Sequence, residues 1–198
     1  MGKIAENKLQ KMNSLLHTAF ELFTTQGFSK TSIADIAQKA GVAKGTFYLY
    51  FKDKYDLREK IIHYEVEKLF AHALEYSDYR EKADFTEKLI AIIDDVLDQM
   101  APQPLLVKFI NKNLSWGVFN RSLSHVEADE INIHAKIDEL MAQDGAAYDA
   151  PDIMFYTVIC LVSNACHSVI IEKQPVDLET YKPYLYNAIR SVISMHRL

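Results

Sequence analysis

The run Lys44-Gly45-Thr46-Phe47-Tyr48-Leu49-Tyr50-Phe51 holds the side chains of this sequence best suited to meeting a polyanion. Phe47 and Phe51 are four apart, so on a helix they share one face and can anchor it to a core. Lys44, Thr46, Tyr48 and Tyr50 are then left to face outward. A short exposed helix ordinarily shows charges and hides its aromatics. This one offers lysine, hydroxyls and phenols, with a glycine near its start that lets the backbone approach another surface. Phenol and hydroxyl groups donate to phosphate oxygens or rest against a thymine methyl. A helix N-terminus attracts phosphate, and Lys44 and Lys54 add charge at both ends. A three-helix bundle showing its tyrosines to a protein partner would use the same residues.

The elements before this run are the ones that must position it. A helix over about 5–26 has Leu9, Met12, Leu16, Ala19, Phe20 and Phe23 as its inner stripe, and Gly27 fits the left-handed residue that ends it. Thr31 or Ser32 can cap the next helix, and Asp35 stands three residues after Ser32 in a capping-box arrangement. That helix, 33–40, turns Ile33, Ile36, Ala37 and Ala40 inward. Gly41 breaks it because glycine accepts positive φ cheaply, and Val42 plugs the corner. The spacing predicts a helix-turn-helix over 31–54 with its second helix in the major groove of DNA.

Charge is distributed to match. The net charge is −5, which taken alone argues against a nucleic-acid partner. Residues 1–54, however, hold eight lysines and four acids, while the rest of the chain holds 14 basic and 23 acidic residues. A basic head on an acidic body is expected where only the head meets phosphate. A lysine-rich start that serves solubility would look the same.

The stretch 31–57, TSIADIAQKAGVAKGTFYLYFKDKYDL, resembles the signature of the tetracycline-repressor (TetR) family of regulators. The resemblance covers roughly 9–62; beyond it the chain is similar only in length and helical texture. It implies that 44–51 is the recognition helix and that Lys44, Gly45, Thr46, Tyr48 and Tyr50 touch DNA. It further implies that Lys54 binds phosphate and that Thr31 and Ser32 lie where the preceding helix meets the DNA backbone. Ala43 departs from the pattern, because many relatives place a capping hydroxyl there. Its absence weakens the helix by about 1 kcal/mol.

The remainder reads as all-α, giving an N-terminal three-helix DNA-binding domain over 1–54 and a helical ligand-binding and dimerisation domain over 55–198. Helices are expected over 55–76 (Leu57, Ile61, Tyr64, Val66, Leu69, Ala73 and Tyr76 inward), 85–100, 105–123 and 125–143. The stretch 153–171 has nineteen residues without a charge and is long enough to span a bilayer. Asn164 and His167 inside it, acids at both flanks and the lack of a basic cluster to anchor it favour a helix buried on all sides, with no membrane. A last helix carries Leu178, Tyr181, Leu185, Ala188, Val192 and Met195. Two such apolar helices suit a two-fold four-helix bundle, hence a homodimer on an inverted-repeat operator.

The resemblance implies the same dimer, a mostly repressive role, and a small-molecule effector bound among the middle helices. Trp116, Phe119, Tyr156, Asn164 and His167 are candidate lining residues, and each also suits ordinary packing. A body that instead binds a protein partner, tethered to DNA by the head, is the alternative. No cofactor, metal or catalytic function is expected. The seven histidines are scattered, and Cys160 and Cys166 are six apart, which sets them on different helix faces. The N-terminus lacks the apolar run of a signal peptide, so a cytoplasmic protein is expected.

Overall fold

The structure is a computed structural model and describes residues 3–113 and 132–198. It is all-α as expected; among the described residues extended pairing is limited to an isolated bridge between Tyr148 and Arg197. The chain divides into two compact units, Met1–Tyr64 and Glu65–Leu198. The division falls inside a helix, at Tyr64, where the sequence sets it at Lys54.

In the first unit, α1 is Lys3–Leu22. It runs through a wider turn, Phe23–Gly27, into a short 3-10 turn, Phe28–Lys30, and Gly27 adopts φ +90° between them. Full burial on α1 starts at Leu15 and continues through Leu16, Ala19 and Leu22; Leu9, expected inside, is 47% exposed. Ile33–Lys39 forms α2, and Lys44–Phe47 forms α3. Gly41 between them has φ +71°, and the Val42 N–H donates to Ala37 O at 2.9 Å. Phe47, Phe51, Ile36 and Leu57 close the core of this unit, all essentially inaccessible to water.

Helix α4, Lys54–Tyr76, carries the chain into the second unit. There α5 is Phe85–Met100, α6 Pro104–Asn113, α7 Ile133–Asp144 and α8 Pro151–Cys166, which continues in wider turns over His167–Glu172. The last, α9, is Leu178–His196, with Pro183 inside it. Asp84, Asn132 and Asp177 cap α5, α7 and α9 through side-chain oxygens, as short polar residues do at helix starts. Tyr76 and Met195, expected on buried stripes, are exposed instead.

A polar seam locks α9 onto α5. Lys182 is buried and pairs with Asp98, with Asp94 at 2.9 Å and with Glu179 at 3.1 Å. Two turns on, Arg190 makes a forked pair with Glu87 at 2.7 and 2.9 Å. Such a seam fixes register, because a lysine taken from water is tolerated only opposite its acids.

Candidate nucleic-acid interface

The helix-turn-helix frame forms as local rules require. The Ser32 Oγ accepts from Asp35 N at 3.1 Å, and the Asp35 carboxylate accepts from Ser32 N at 2.9 Å, completing the capping box. Hydrogen bonds from the Ser32 hydroxyl and backbone N–H hold the Asp35 carboxyl below its usual value. Thr31 has a different job from the one expected of it. It is 1% exposed, and its hydroxyl donates to Gly27 O at 3.0 Å. This side chain ties the α1–α2 connection together and offers no surface hydroxyl.

Helix α3 is shorter than the recognition helix expected over 44–51. Regular α-helix stops at Phe47, and the next bonds tighten, with Leu49 N donating to Thr46 O and Tyr50 N to Phe47 O. The cause lies downstream. Asp53 accepts from Tyr55 N at 2.8 Å and from Asp56 N at 2.9 Å, so it caps α4 and compels the chain to leave α3 within a few residues. At the other end, Ala43 makes no side-chain cap, as its methyl group dictates.

The faces divide as the spacing predicts. Phe47 and Phe51 are buried with ring centroids 5.5 Å apart. Lys44 and Gly45 are exposed, Tyr48 is 53% exposed, and Thr46 and Tyr50 are half-buried. A Cβ added at Gly45 would meet no atom within 4 Å, so nothing inside the protein requires glycine there. Leu49, 76% exposed, joins the same outward set, which sequence reasoning does not find. Two residues from both Phe47 and Phe51, Leu49 lies opposite their inner face, and its apolar character is what hides it from a search for polar contacts.

Lys54 is engaged internally. Its ammonium donates to Phe28 O at 3.0 Å and Thr31 O at 3.3 Å, and lies 4.6 Å from the centre of the Phe28 ring. The Arg58 guanidinium covers the same ring at 4.8 Å, and Tyr55 meets it edge-on at 5.0 Å. Two of the three N–H donors of Lys54 thus clasp the start of α4 to the residues just before the Ser32 cap. These internal bonds, and not a phosphate contact, are what the structure shows for Lys54.

The second unit encloses a cavity of about 120 Å³ between α4, α5, α6, α7 and α8. One water needs on the order of 10–15 Å³ of such space. Its described wall residues are apolar apart from His134, Asp152 and Ser163. Tyr156, Asn164 and His167 do not line it; Asn164 donates to Cys160 O in its own helix, and Tyr156 and Asn164 are exposed. Their neighbours Phe155, Ile159, Ser163 and Cys166 form the wall instead. A helix apolar all round gives no signal of which face looks inward. Trp116 and Phe119 lie outside the described residues. Among the described residues, no group of three His, Cys, Asp or Glu side chains could hold a metal ion.

Residues 15–61 match the bacterial regulatory proteins of the tetR family. A regulator of the helix-turn-helix type from Bacillus subtilis, YvdT, is 37% identical over 89 residues, 45% of this chain and 43% of that protein. The match therefore spans less than half the length of that relative. A TetR-family transcriptional regulator from Haemophilus influenzae superposes with a TM-score of 0.64 at 19% identity, over 97% of this chain and 99% of that one. The regulator FadR from Bacillus subtilis, solved in complex with stearoyl-CoA, does so with a TM-score of 0.60 at 21% identity, over 91% and 98%. The head is thus a tetR-family helix-turn-helix, and the whole chain shares the fold of these regulators.

Proposed function

We propose that this chain, whose first unit is a tetR-family helix-turn-helix domain, is a cytoplasmic transcriptional regulator that represses from an inverted-repeat operator as a homodimer. The observation that carries the reading is the outward set on α3. Lys44, Gly45, Thr46, Tyr48 and Tyr50 stand on a segment pinned from below by Phe47 and Phe51. Ser32, at the cap of α2, is exposed and meets the DNA backbone. Thr31 and Lys54 hold the frame.

The dimer reading is supported by apolar surface that one protomer leaves uncovered. The most apolar 18-residue window of the helix over Pro151–Glu172 has a mean hydropathy of 1.7, yet only 28% of it is buried. On α9, Tyr184 is 70% and Met195 76% exposed. Large apolar area of this kind is normally covered, and a second copy about a two-fold axis covers it with self-complementary helices. Two heads then read two half-sites about one helical turn, or a multiple of it, apart.

The cavity supports control by a small molecule, and the stearoyl-CoA complex of FadR supports the view that this fold can carry one. Ligand favours an arrangement in which the two heads no longer match successive grooves, and α4 is the coupling element. Selection of duplexes from a random pool by the full chain tests the reading. An enriched inverted repeat is expected; a pool that stays random, or yields only isolated half-sites, overturns it.

A further inference from the structure

We propose that the cavity of the second unit takes one unbranched hydrocarbon chain whose uncharged or cationic head lies near Asp152 and His134. The inference rests on the small-molecule reading above and names its ligand class.

Shape comes first. On α8, Asp152, Phe155, Ile159, Val162 and Cys166 all line the cavity. They recur every three or four residues, which makes one continuous stripe. At about 1.5 Å of rise per residue, that stripe is roughly 21 Å long. On α5, Leu89, Ile93, Val96 and Met100 form a second stripe of roughly 16 Å by the same rise. About 120 Å³ drawn out along such walls is a tube rather than a bowl. It admits a chain lengthwise.

Chemistry narrows the occupant further. Between its two ends the described wall residues offer a polar ligand little beyond the Ser163 hydroxyl. Cys166 counts as part of the apolar wall, since burial pushes its thiol up to about 12 and keeps it neutral. The backbone carbonyl of Ser163 already accepts from Asn111 at 3.0 Å. A ligand with polar groups along its length would lose their hydrogen bonds to water without replacement. A methylene chain loses none.

The remaining wall groups, Asp152 and His134, sit in the first turns of α8 and α7. Asp152 is exposed, which places the mouth at that end. The His134 Nδ1 is 3.9 Å from the Asp138 carboxylate. Among the described wall residues Asp152 supplies the one carboxylate. A carboxylate head meets repulsion there, whereas a hydroxyl finds acceptors and a quaternary ammonium finds a counter-charge.

Calorimetry on the full-length protein with 1-alkanols from hexanol to dodecanol tests the tube. Affinity is expected to rise about fourfold with each added methylene, from the transfer of a CH2 group out of water. Dodecanol and dodecyltrimethylammonium, below their micellar concentrations, should bind at least tenfold more tightly than dodecanoate. Affinity that does not change with chain length, or dodecanoate binding most tightly, overturns the proposal. Val162→Trp, which fills the middle of the α8 wall, should remove dodecanol binding at unchanged helicity. Should that variant fail to fold, the alkanol series on the unaltered protein decides alone. DNA affinity is measured separately in the same mixtures. Chains that bind without changing DNA affinity uphold the ligand class and overturn the release mechanism. Intact DNA binding with no chain bound overturns the ligand class and leaves the DNA reading standing.

Discussion

Lys54→Met separates the role this residue has in the structure from the role its position in the family implies. The substitution keeps an apolar stem of similar length and removes the ammonium. With it go the bonds to Phe28 O at 3.0 Å and Thr31 O at 3.3 Å, and the charge 4.6 Å over the Phe28 ring. A well-formed hydrogen bond from a charged donor contributes about 1.5–3 kcal/mol. The second bond here is long, and Lys54 is half-buried, so water recovers part of both. The ring interaction adds about 0.5–1 kcal/mol. A net loss of about 1–2 kcal/mol follows for the head. Urea denaturation followed by helicity should show an earlier midpoint with an unchanged slope. DNA affinity should fall while the slope of log K against log salt stays as in the parent. By contrast, Lys44→Ala should lower that slope by about 0.9 for each phosphate that Lys44 neutralises. A Lys54→Met protein as stable as the parent, with its salt slope reduced like that of Lys44→Ala, would refute the clasp and restore Lys54 to phosphate.

Other outcomes are expected. Phe47→Ala removes a side chain with no exposed area, and denaturation should record a loss of about 3–5 kcal/mol in the head. Tyr48→Phe should change the ranking of operator variants in competition binding while leaving the salt slope intact, since it removes a hydroxyl and no charge. The Asp144 carboxylate accepts from Phe85 N at 3.0 Å and from the Tyr148 hydroxyl at 2.9 Å, and these bonds hold it below its ordinary value of 3.8. A depressed acid contributes stability above its unfolded pKa and loses it as pH falls through the folded value. Thermal midpoints of Asp144→Asn should therefore lie below the parent at neutral pH and converge on it below about pH 4. Parallel curves down to about pH 2 would show that Asp144 does not carry that acid limb.

Features set by near neighbours are legible in the sequence. The Ser32–Asp35 box, the positive φ of Gly41, the burial of Phe47 and Phe51, and the span of α5 all follow from caps, glycine and helical spacing. Features set by distant partners are not. The Thr31 hydroxyl and the Lys54 ammonium find carbonyls at Gly27 and Phe28, and no spacing rule links a side chain to a loop carbonyl across a fold. Lys182 reads as a solvated lysine until α5 brings Asp94 and Asp98 opposite it. The length of α3 escapes a local reading because the cap that ends it belongs to the next helix. On α8 the sequence points to the helix that lines the cavity, but Tyr156, Asn164 and His167 are on its other faces, since side chains apolar on every side carry no direction.

The central claim is that two copies of the α3 segment read one symmetric site. Hydroxyl-radical footprinting of the full chain on its selected duplex tests this most directly. The account predicts two protected patches related by a dyad, with centres one helical turn or a multiple of it apart, about 34–36 Å per turn. It also predicts that Lys44→Ala weakens both patches together. A single patch without a dyad partner, or protection unaffected by changes on α3, would contradict it.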